Sequence, residues 1–367
     1  MVWNKTVMQQ ILILLGALVG ALLVGAIFIV LTGSNPLTAY GVMMSGPFSS
    51  TYGFSETLVR TTPLLLVGLG IIISFRSGIL NIGGEGQMLM GAVAAAAVAL
   101  AMPDLPGLIL MPLVLLGGMA AGGLWGGLAG WLKARLAVNE ILSTVMLNQI
   151  AAQLYLFIIR IFLIDPQEVA YGTGVPQTAL LTSSVWFDRL ITGSRVHTGF
   201  FLAVVMAILV YILLWRTTFG FRMRAVGEGP DAARYAGIGV EKYLVIAMFL
   251  AGAFAGLAGA VEVTGVHHRA LEDISAGYGF SGIVAALFGR LHPLGVIPAS
   301  VLFGALILGA DMMQRAVAIP AAIVLVIQGL VILFVVSADL LLRKPELMAK
   351  LPANFIKLTA KEDRSNG

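Results

Sequence analysis

Apolar runs of about twenty residues recur along the whole chain and constrain its fold more than any other feature. A helix that crosses the hydrocarbon core of a bilayer needs roughly 20 mainly apolar residues. Only 11% of the 367 residues are charged, less than half of the ~25% typical of soluble domains. This composition excludes a cytosolic enzyme, a nucleic-acid-binding protein and a disordered protein, and it predicts an all-α, polytopic membrane protein.

Ten apolar segments are candidate transmembrane helices. The first follows a short head that contains Lys5; it is longer than the apolar region of a usual signal peptide, and no small-residue cleavage pattern follows it. The eighth is too short to cross alone. The predicted spans are 11–31, 58–75, 87–102, 108–132, 141–164, 199–215, 243–263, 280–288, 295–309 and 318–336.

The distribution of lysine and arginine predicts the orientation, because these residues collect in cytoplasmic loops. If the N-terminus lies inside, ten spans return the C-terminus to the same side, and sixteen of the 22 basic residues then lie inside. We therefore expect a transmembrane domain at 1–342 with an extracytoplasmic loop at 165–198 and a cytoplasmic loop at 216–242. A basic cytoplasmic tail at 343–367 would follow.

Polar residues and glycines occur together between the second and third spans, in the sequence Phe-Arg-Ser-Gly-Ile-Leu-Asn-Ile-Gly-Gly-Glu-Gly-Gln at 75–87. Non-helical backbone close to membrane depth is tolerated only against protein or a water-filled cavity. Asn81 and Gln87 fit a translocation pathway and a tight cytoplasmic turn equally well. Glu85 fits better as a carboxylate that caps the third helix.

A second set of polar residues opens the fifth span after Asn139 and Glu140. Thr144 and Asn148 share one face of the predicted helix. A polar stripe in a membrane helix either lines a path or joins helices by hydrogen bonds. Joining helices is the commoner role and is the interpretation that we favour. The pathway role stays open as the alternative.

Glycines spaced four residues apart predict close helix packing, because small residues let two backbones approach each other. Such rows occur in the fourth and seventh spans. The residues are Gly118, Gly122, Gly126 and Gly130 in the fourth span, and Gly252 and Gly256 in the seventh.

The cytoplasmic loop contains a predicted short helix at 231–236. Gly229-Pro230 marks its start, Asp231 lies in its first turn, where a carboxylate suits the helix dipole, and Gly237 ends it. A capped helix on the inner face would suit docking of a cytosolic partner. The alternative is a connector whose charges only set the topology.

No motif in the sequence indicates catalysis or a metal site. There is no cysteine, no lysine directly after a glycine as a Walker A motif requires, and no G-x-S-x-G or H-E-x-x-H. His267 and His268 are neighbours whose side chains point apart, and no carboxylate has metal-ligand spacing. We therefore expect no enzyme activity, no metal and no cofactor in this chain.

The two motifs resemble those of one known family. The 75–87 sequence resembles the signature of bacterial ABC-importer permeases of the nucleoside and simple-sugar group, which also includes branched-chain amino acid and ribose types. The loop from Thr218 to Ile238 is similar to the coupling region of that group. Further similarities lie at 35–40, 56–63 and 139–148, and the resemblance covers about residues 30–340.

The resemblance implies ten helices in two inverted five-helix halves, in the bacterial inner membrane. It also implies nucleosides as the substrate, a second and unlike permease subunit, an extracytoplasmic binding protein, and a separate ATPase that holds ATP and Mg. The expected pathway residues are Asn81, Glu85, Gln87, Thr144 and Asn148. The expected ATPase-coupling residues are Gly227, Glu228, Asp231, Ala232, Arg234, Tyr235 and Gly237.

Three other functions stay open from the sequence. The first is an ABC permease for a simple sugar such as ribose. The second is an ion-coupled secondary transporter, which needs a titratable group within the spans; Glu85, Glu140 and Glu262 are the candidates, and all three lie near span ends. The third is a membrane scaffold or channel without a pumping partner.

Overall fold

The computed structural model describes residues 5–171 and 175–320 and, within 322–338, residues 322–323, 326–327, 329–331, 333–334 and 337–338. In this part of the chain the regular structure is helical, apart from three isolated β-bridges. The predicted tail at 343–367 lies outside the described residues. The predicted tenth span at 318–336 falls partly outside them, and from 322 onward each of its described residues is helical.

Thirteen α-helices are defined in the described residues. They are α1 Lys5–Leu31, α2 Pro36–Ser45, α3 Thr51–Arg76, α4 Gly84–Ala101, α5 Gly107–Leu136, α6 Glu140–Ile158, α7 Pro166–Tyr171, α8 Gly199–Arg216, α9 Thr218–Glu228, α10 Pro230–Tyr235, α11 Val240–Glu262, α12 Tyr278–Phe288 and α13 Val296–Val317. The helices α6 and α11 continue into π-helical turns, Ile159–Leu163 and Val263–His267.

Seven helices in the described part of the chain are long and apolar enough to cross a membrane: α3, α4, α5, α6, α8, α11 and α13. The helix α12 and the segment Val19–Leu31 of α1 are shorter apolar helices. Nine of the ten predicted spans overlap one of the thirteen helices defined above. The ninth runs to Val317, beyond its predicted end at 309. Its charged residue Asp311 is paired with Arg60 of α3, which makes that carboxylate compatible with an apolar helix.

Three helices were missed by the sequence analysis. The helix α2 lies between the first and second predicted spans, α7 lies in the predicted extracytoplasmic loop, and α9 lies in the predicted cytoplasmic loop. The start of α9 carries a local signal, since the Thr217 hydroxyl accepts a hydrogen bond from the Gly220 N–H at 3.0 Å. The predicted short helix is confirmed as α10, which begins one residue earlier, at Pro230, and ends at Tyr235.

The chain divides into two compact units, Gly41–Met312 and a unit formed by Met1–Tyr40 with Met313–Gly367. Within the smaller unit, the Tyr40 hydroxyl donates a hydrogen bond to the Leu22 carbonyl at 2.6 Å. Within the larger unit, α3, α4 and α11 are mostly buried, whereas α5, α6 and α8 keep most of their surface exposed. The helix α3 is the most buried, so it is the central helix of that unit.

The helices α4, α5 and α11 approach one another through glycines. A Cβ added at Gly122 of α5 would collide with the carbonyl oxygen of Gly252 and with Gly256 Cα on α11, and one added at Gly91 of α4 would collide with the Gly256 backbone. The glycines 118, 126 and 130 of α5 likewise face α11. The glycine rows therefore form the surface along which α5 and α11 pack.

The substitution Gly122→Ala should destabilise the protein by about 1–3 kcal/mol, because the methyl group would separate two packed backbones. The matched control is Gly127→Ala on the same helix, where an added Cβ would lie 3.5 Å from the Phe249 ring, an ordinary contact. The measurement is the thermal unfolding midpoint of the purified protein in detergent. Equal midpoints for both variants would contradict this account of the packing.

Candidate functional site

The segment between α3 and α4 holds a pair of buried amides. Asn81 and Gln87 are each 1% exposed. The Asn81 Nδ2 donates to Gln87 Oε1 at 2.9 Å, and Gln87 Nε2 donates to Asn81 Oδ1 at 3.0 Å. Asn81 Oδ1 also accepts from the Gly83 N–H at 2.9 Å. The two side chains thus hold the non-helical backbone of this segment in one conformation.

Asn148 of α6 joins the same segment from the opposite side. Its Oδ1 accepts from the Gly86 N–H and its Nδ2 donates to the Ile82 carbonyl, both at 2.9 Å. Thr144, one turn earlier, is fully buried and donates to the Glu140 carbonyl at 2.6 Å. We call Asn81, Gln87, Thr144 and Asn148 the polar cluster. The structure brings these four of the five predicted pathway residues together where α4 meets α6.

Glu85 has a structural partner that the sequence did not indicate. Its carboxylate accepts from the Gly277 N–H at 3.0 Å and the Gly279 N–H at 2.6 Å, so it caps α12 and not its own helix α4. Gly277 has φ +77°, a left-handed conformation that glycine adopts without strain. The expectation of a cap on the third helix is therefore wrong, because the free N–H groups of α12 face this carboxylate.

The polar cluster can act as a connection between helices in the arrangement observed here. Its amide groups bond to one another and to backbone groups, and its members are buried. A solute that passes beside them would have to compete for these hydrogen bonds. Their role as pathway residues thus stays a prediction that requires a second arrangement of α4 and α6.

A groove lies between α9 and α10, near the ends of α3 and α8. Its volume is about 420 Å³. The linker residue Gly229 is extended, with φ −165°, which lets the two helices form the walls. Among the lining residues are Phe221, Arg224, Ala225, Glu228, Ala232 and Ala236. An open groove of this kind, with an exposed aromatic ring in its wall, suits contact with another protein.

The predicted coupling residues fall into two groups. Glu228, Asp231, Ala232, Arg234, Tyr235 and Gly237 are exposed around α10, and Tyr235 is 95% exposed. Arg234 pairs with Asp231 at 3.3 Å and with Glu241 at 3.0 Å. Gly227, by contrast, faces inward, and a Cβ added there would collide with the Arg76 carbonyl and the Gly78 N–H.

The contact of Gly227 with Gly78 joins the two sequence motifs in space. Arg76 at the end of α3 donates to the Leu291 carbonyl at 2.9 Å, and its guanidinium lies 5.5 Å from the Trp215 ring centroid. Arg224 of α9 lies at the same distance from that ring. Movement of α9 would therefore act directly on the backbone that leads to the polar cluster. The sequence analysis missed Trp215, although Arg76 and Gly78 were part of its motif.

The opposite end of the larger unit carries charged residues that the sequence analysis did not single out. Glu56 of α3 is 3% exposed and accepts two hydrogen bonds from Arg195, at 3.0 and 2.6 Å. The hydrogen bond to Glu56 raises the pKa of Arg195 above its ordinary value. Charges are rare in membrane helices and mark functional or paired sites, so Glu56 and Arg60 could have been found by that criterion.

The segment before α8 packs on the end of α11 through histidines. Trp186 stacks on His268 with ring centroids 4.0 Å apart. His197 is 1% exposed, and a Cβ at Gly265 would collide with its ring. Burial lowers the pKa of His197 to about 4, so this ring is neutral near pH 7, and its Nδ1 accepts a hydrogen bond from the Gly199 N–H at 3.2 Å. The segment is thus fixed over the end of α11.

Comparison with known proteins identifies the family. The family of branched-chain amino acid transport system permease components matches residues 53–336, so the chain belongs to it. Its relatives are ABC transporter permeases. The chain is thus a multi-pass membrane permease of this class and a transport component rather than an enzyme.

Three relatives are similar over most of their length. The guanosine ABC transporter permease protein NupP of Bacillus subtilis is 37% identical over 90% of this chain and 94% of its own. The glucose ABC transporter permease protein TsgB13 of Haloferax volcanii is 36% identical, over 87% and 85%. The nucleoside ABC transporter permease protein NupB of Lactococcus lactis is 33% identical, over 90% and 92%. NupQ and NupC, permeases of the same Bacillus and Lactococcus strains, are each 32% identical over 68% of this chain.

The substitution Asn148→Leu should lower both stability and transport. It leaves the Gly86 N–H and the Ile82 carbonyl buried without their partner, at a cost of about 1–3 kcal/mol for each group. We expect a lower unfolding midpoint and slower solute uptake. The control is Gln149→Leu, since the neighbouring Gln149 is exposed. Unchanged midpoint and uptake in Asn148→Leu would remove Asn148 from the site.

Proposed function

We propose that this chain is the permease subunit of an ABC importer that carries nucleosides across the bacterial cytoplasmic membrane. The observation that carries the proposal is the similarity to the guanosine and nucleoside permeases, which extends over more than nine tenths of both relatives. We further propose ten spans with both termini in the cytoplasm, arranged as two inverted halves. The excess of basic residues on that side supports the orientation.

The proposed partner at the α9–α10 groove is a separate ATPase, which holds ATP and Mg. The exposed residues around α10 would bind it, and Gly227 would pass the movement of α9 to the segment after α3. This contact is backbone against backbone, so little displacement would be absorbed by flexible side chains. The polar cluster would then be rearranged when the ATPase changes its conformation.

The proposed permease partner is a second, unlike subunit. The paired names NupP with NupQ and NupB with NupC support it, because each pair comes from one organism and both members are similar to this chain. This chain corresponds more fully to NupP and NupB, as their larger coverage shows. We also propose an extracytoplasmic binding protein that delivers the solute.

A simple sugar is the second candidate substrate. The similarity to the glucose permease TsgB13, at 36% identity, supports it. The contacts of two of its three candidate residues argue against the ion-coupled alternative. Glu85 is held by two backbone N–H groups, and Glu140 is paired with Lys133 at 2.8 Å, so both carboxylates already have structural partners.

The substrate class can be tested by uptake of labelled adenosine, uridine and ribose. Cells that lack this chain are compared with cells that regain it. We expect restored nucleoside uptake that unlabelled nucleoside suppresses and ribose does not. If only ribose uptake is restored, the proposed substrate becomes a simple sugar, and the assignment as an ABC permease is kept. No restored uptake of any of the three would contradict the proposal.

Docking of the ATPase can be tested by filling the groove. The substitution Ala232→Trp places a large side chain in the groove between α9 and α10, where it would block contact with the ATPase. Loss of a central contact costs about 1.4 kcal/mol or more of binding free energy, which is at least tenfold in affinity. We expect about tenfold lower recovery of the ATPase with the tagged permease. Arg234→Glu is a poorer test, since it would also break the ion pairs to Asp231 and Glu241.

The matched control for the groove is Glu272→Trp. Glu272 is exposed and lies beyond the opposite end of α11, so the same large side chain is added far from the groove. This variant should recover the ATPase as the natural chain does. Equal recovery with Ala232→Trp and with Glu272→Trp would contradict docking at the groove.

A further inference from the structure

Glu262 is a buried carboxylate that the proposed mechanism does not use. It is the last residue of α11 and is 3% exposed. Its Oε2 lies 3.8 Å from His267 Nε2. Its Oε1 is buried and has no hydrogen-bond partner among the described residues. Burial of such a group without a partner is costly, so a carboxylate kept in a membrane helix in this state points to a ligand.

Two arginines whose charges act on Glu262, Arg195 and Arg60, form ion pairs with other carboxylates. Arg195 is held by both carboxylate oxygens of Glu56, and Arg60 is paired with Asp311. The charges of Arg195, Arg60 and Glu56 all act on the Glu262 carboxylate. Arg60 has one further donor, its Nε–H, because the Nε is buried and without a hydrogen-bond partner in the described part of the chain.

Within the described residues, Glu262 Oε1 and Arg60 Nε are thus both without a hydrogen-bond partner, and the charge of Arg60 acts on Glu262. A hydroxyl group satisfies both kinds of partner, because it donates one hydrogen bond and accepts others. Each of the two guanidinium groups is paired with a carboxylate, Arg60 with Asp311 and Arg195 with Glu56, so these pairs have no net charge that would favour a cationic or an anionic ligand. The chemistry that fits is a neutral solute with several hydroxyl groups.

Access to Glu262 is from the end of the unit that lies opposite α10. The side chain of His267, which lies 3.8 Å from the carboxylate, is 31% exposed, and that of Arg195 is 45% exposed. The segment that carries Arg195 is held in place by the bidentate bond to Glu56 and by the contact of His197 with Gly265. A solute delivered from the extracytoplasmic side would meet this region first.

We propose that Glu262, together with Arg60, forms a subsite for hydroxyl groups of the transported solute, which in the proposed nucleoside are those of the ribose. This inference rests on the proposed function and adds to it a point of recognition within the permease. It predicts that the permease itself distinguishes ribonucleosides from deoxynucleosides. The binding protein would therefore not be the sole source of selectivity.

The test is the ratio of initial uptake rates for labelled adenosine and 2′-deoxyadenosine in cells that lack this chain and regain a variant of it. The ATPase, the second permease and the binding protein are the same in every strain, so their own preferences cancel when ratios are compared. We expect Glu262→Gln to lower the ratio about threefold to tenfold, because the glutamine amide has one acceptor oxygen where the glutamate carboxyl has two. Glu262→Leu should lower it further.

The control is Glu272→Gln, an exposed carboxylate at the same end, which should leave the ratio unchanged. The amount of each variant in the membrane is measured alongside, and Glu262→Gln decides the result if Glu262→Leu does not accumulate. A ratio within twofold of that of the natural chain in Glu262→Gln, at equal abundance, would overturn the subsite and leave the nucleoside function standing. No nucleoside uptake by the natural chain would overturn both.

Discussion

The larger unit depends on satisfying the backbone where α3 ends and α4 begins. Polar backbone groups within a membrane protein must find partners inside the protein, and this segment finds them in side chains. Asn81 bonds to Gly83 within the segment, while Asn148 reaches it from α6. Glu85, just after the break, caps α12. One interruption of helix thus connects α3, α4, α6 and α12.

The central helix α3 runs from a charged region at its start to this interruption at its end. At its start, Glu56 and Arg60 make ion pairs with Arg195 and Asp311. At its end, Arg76 bonds to the Leu291 carbonyl and lies beside Trp215. Because α3 is buried along most of its length, it is well placed to transmit a displacement from one end of the unit to the other. The glycine surface between α5 and α11 provides a close-packed support beside it.

The sequence predicted the helices better than their contacts. Nine predicted spans overlap helices, and α10 was located within one residue, since apolar length and capping residues are local signals. The four members of the polar cluster were chosen individually, but the bond between Asn148 and Gly86 joins residues 62 positions apart. The helix α9 was missed because its basic residues were interpreted as a loop. The pair of Glu56 with Arg195 was missed because its members are 139 positions apart.

The sequence by itself determined that the chain is an all-helical membrane protein, where most spans lie, and which glycines allow close packing, because these properties depend on composition and on spacing within one helix. Only the tertiary structure decided that Glu85 caps α12, that Gly227 meets Gly78, and that one Glu262 oxygen has no hydrogen-bond partner among the described residues. Each of these depends on which helix faces which. That choice is made by the sum of many contacts between residues distant in sequence, such as Arg60 and Asp311, 251 positions apart.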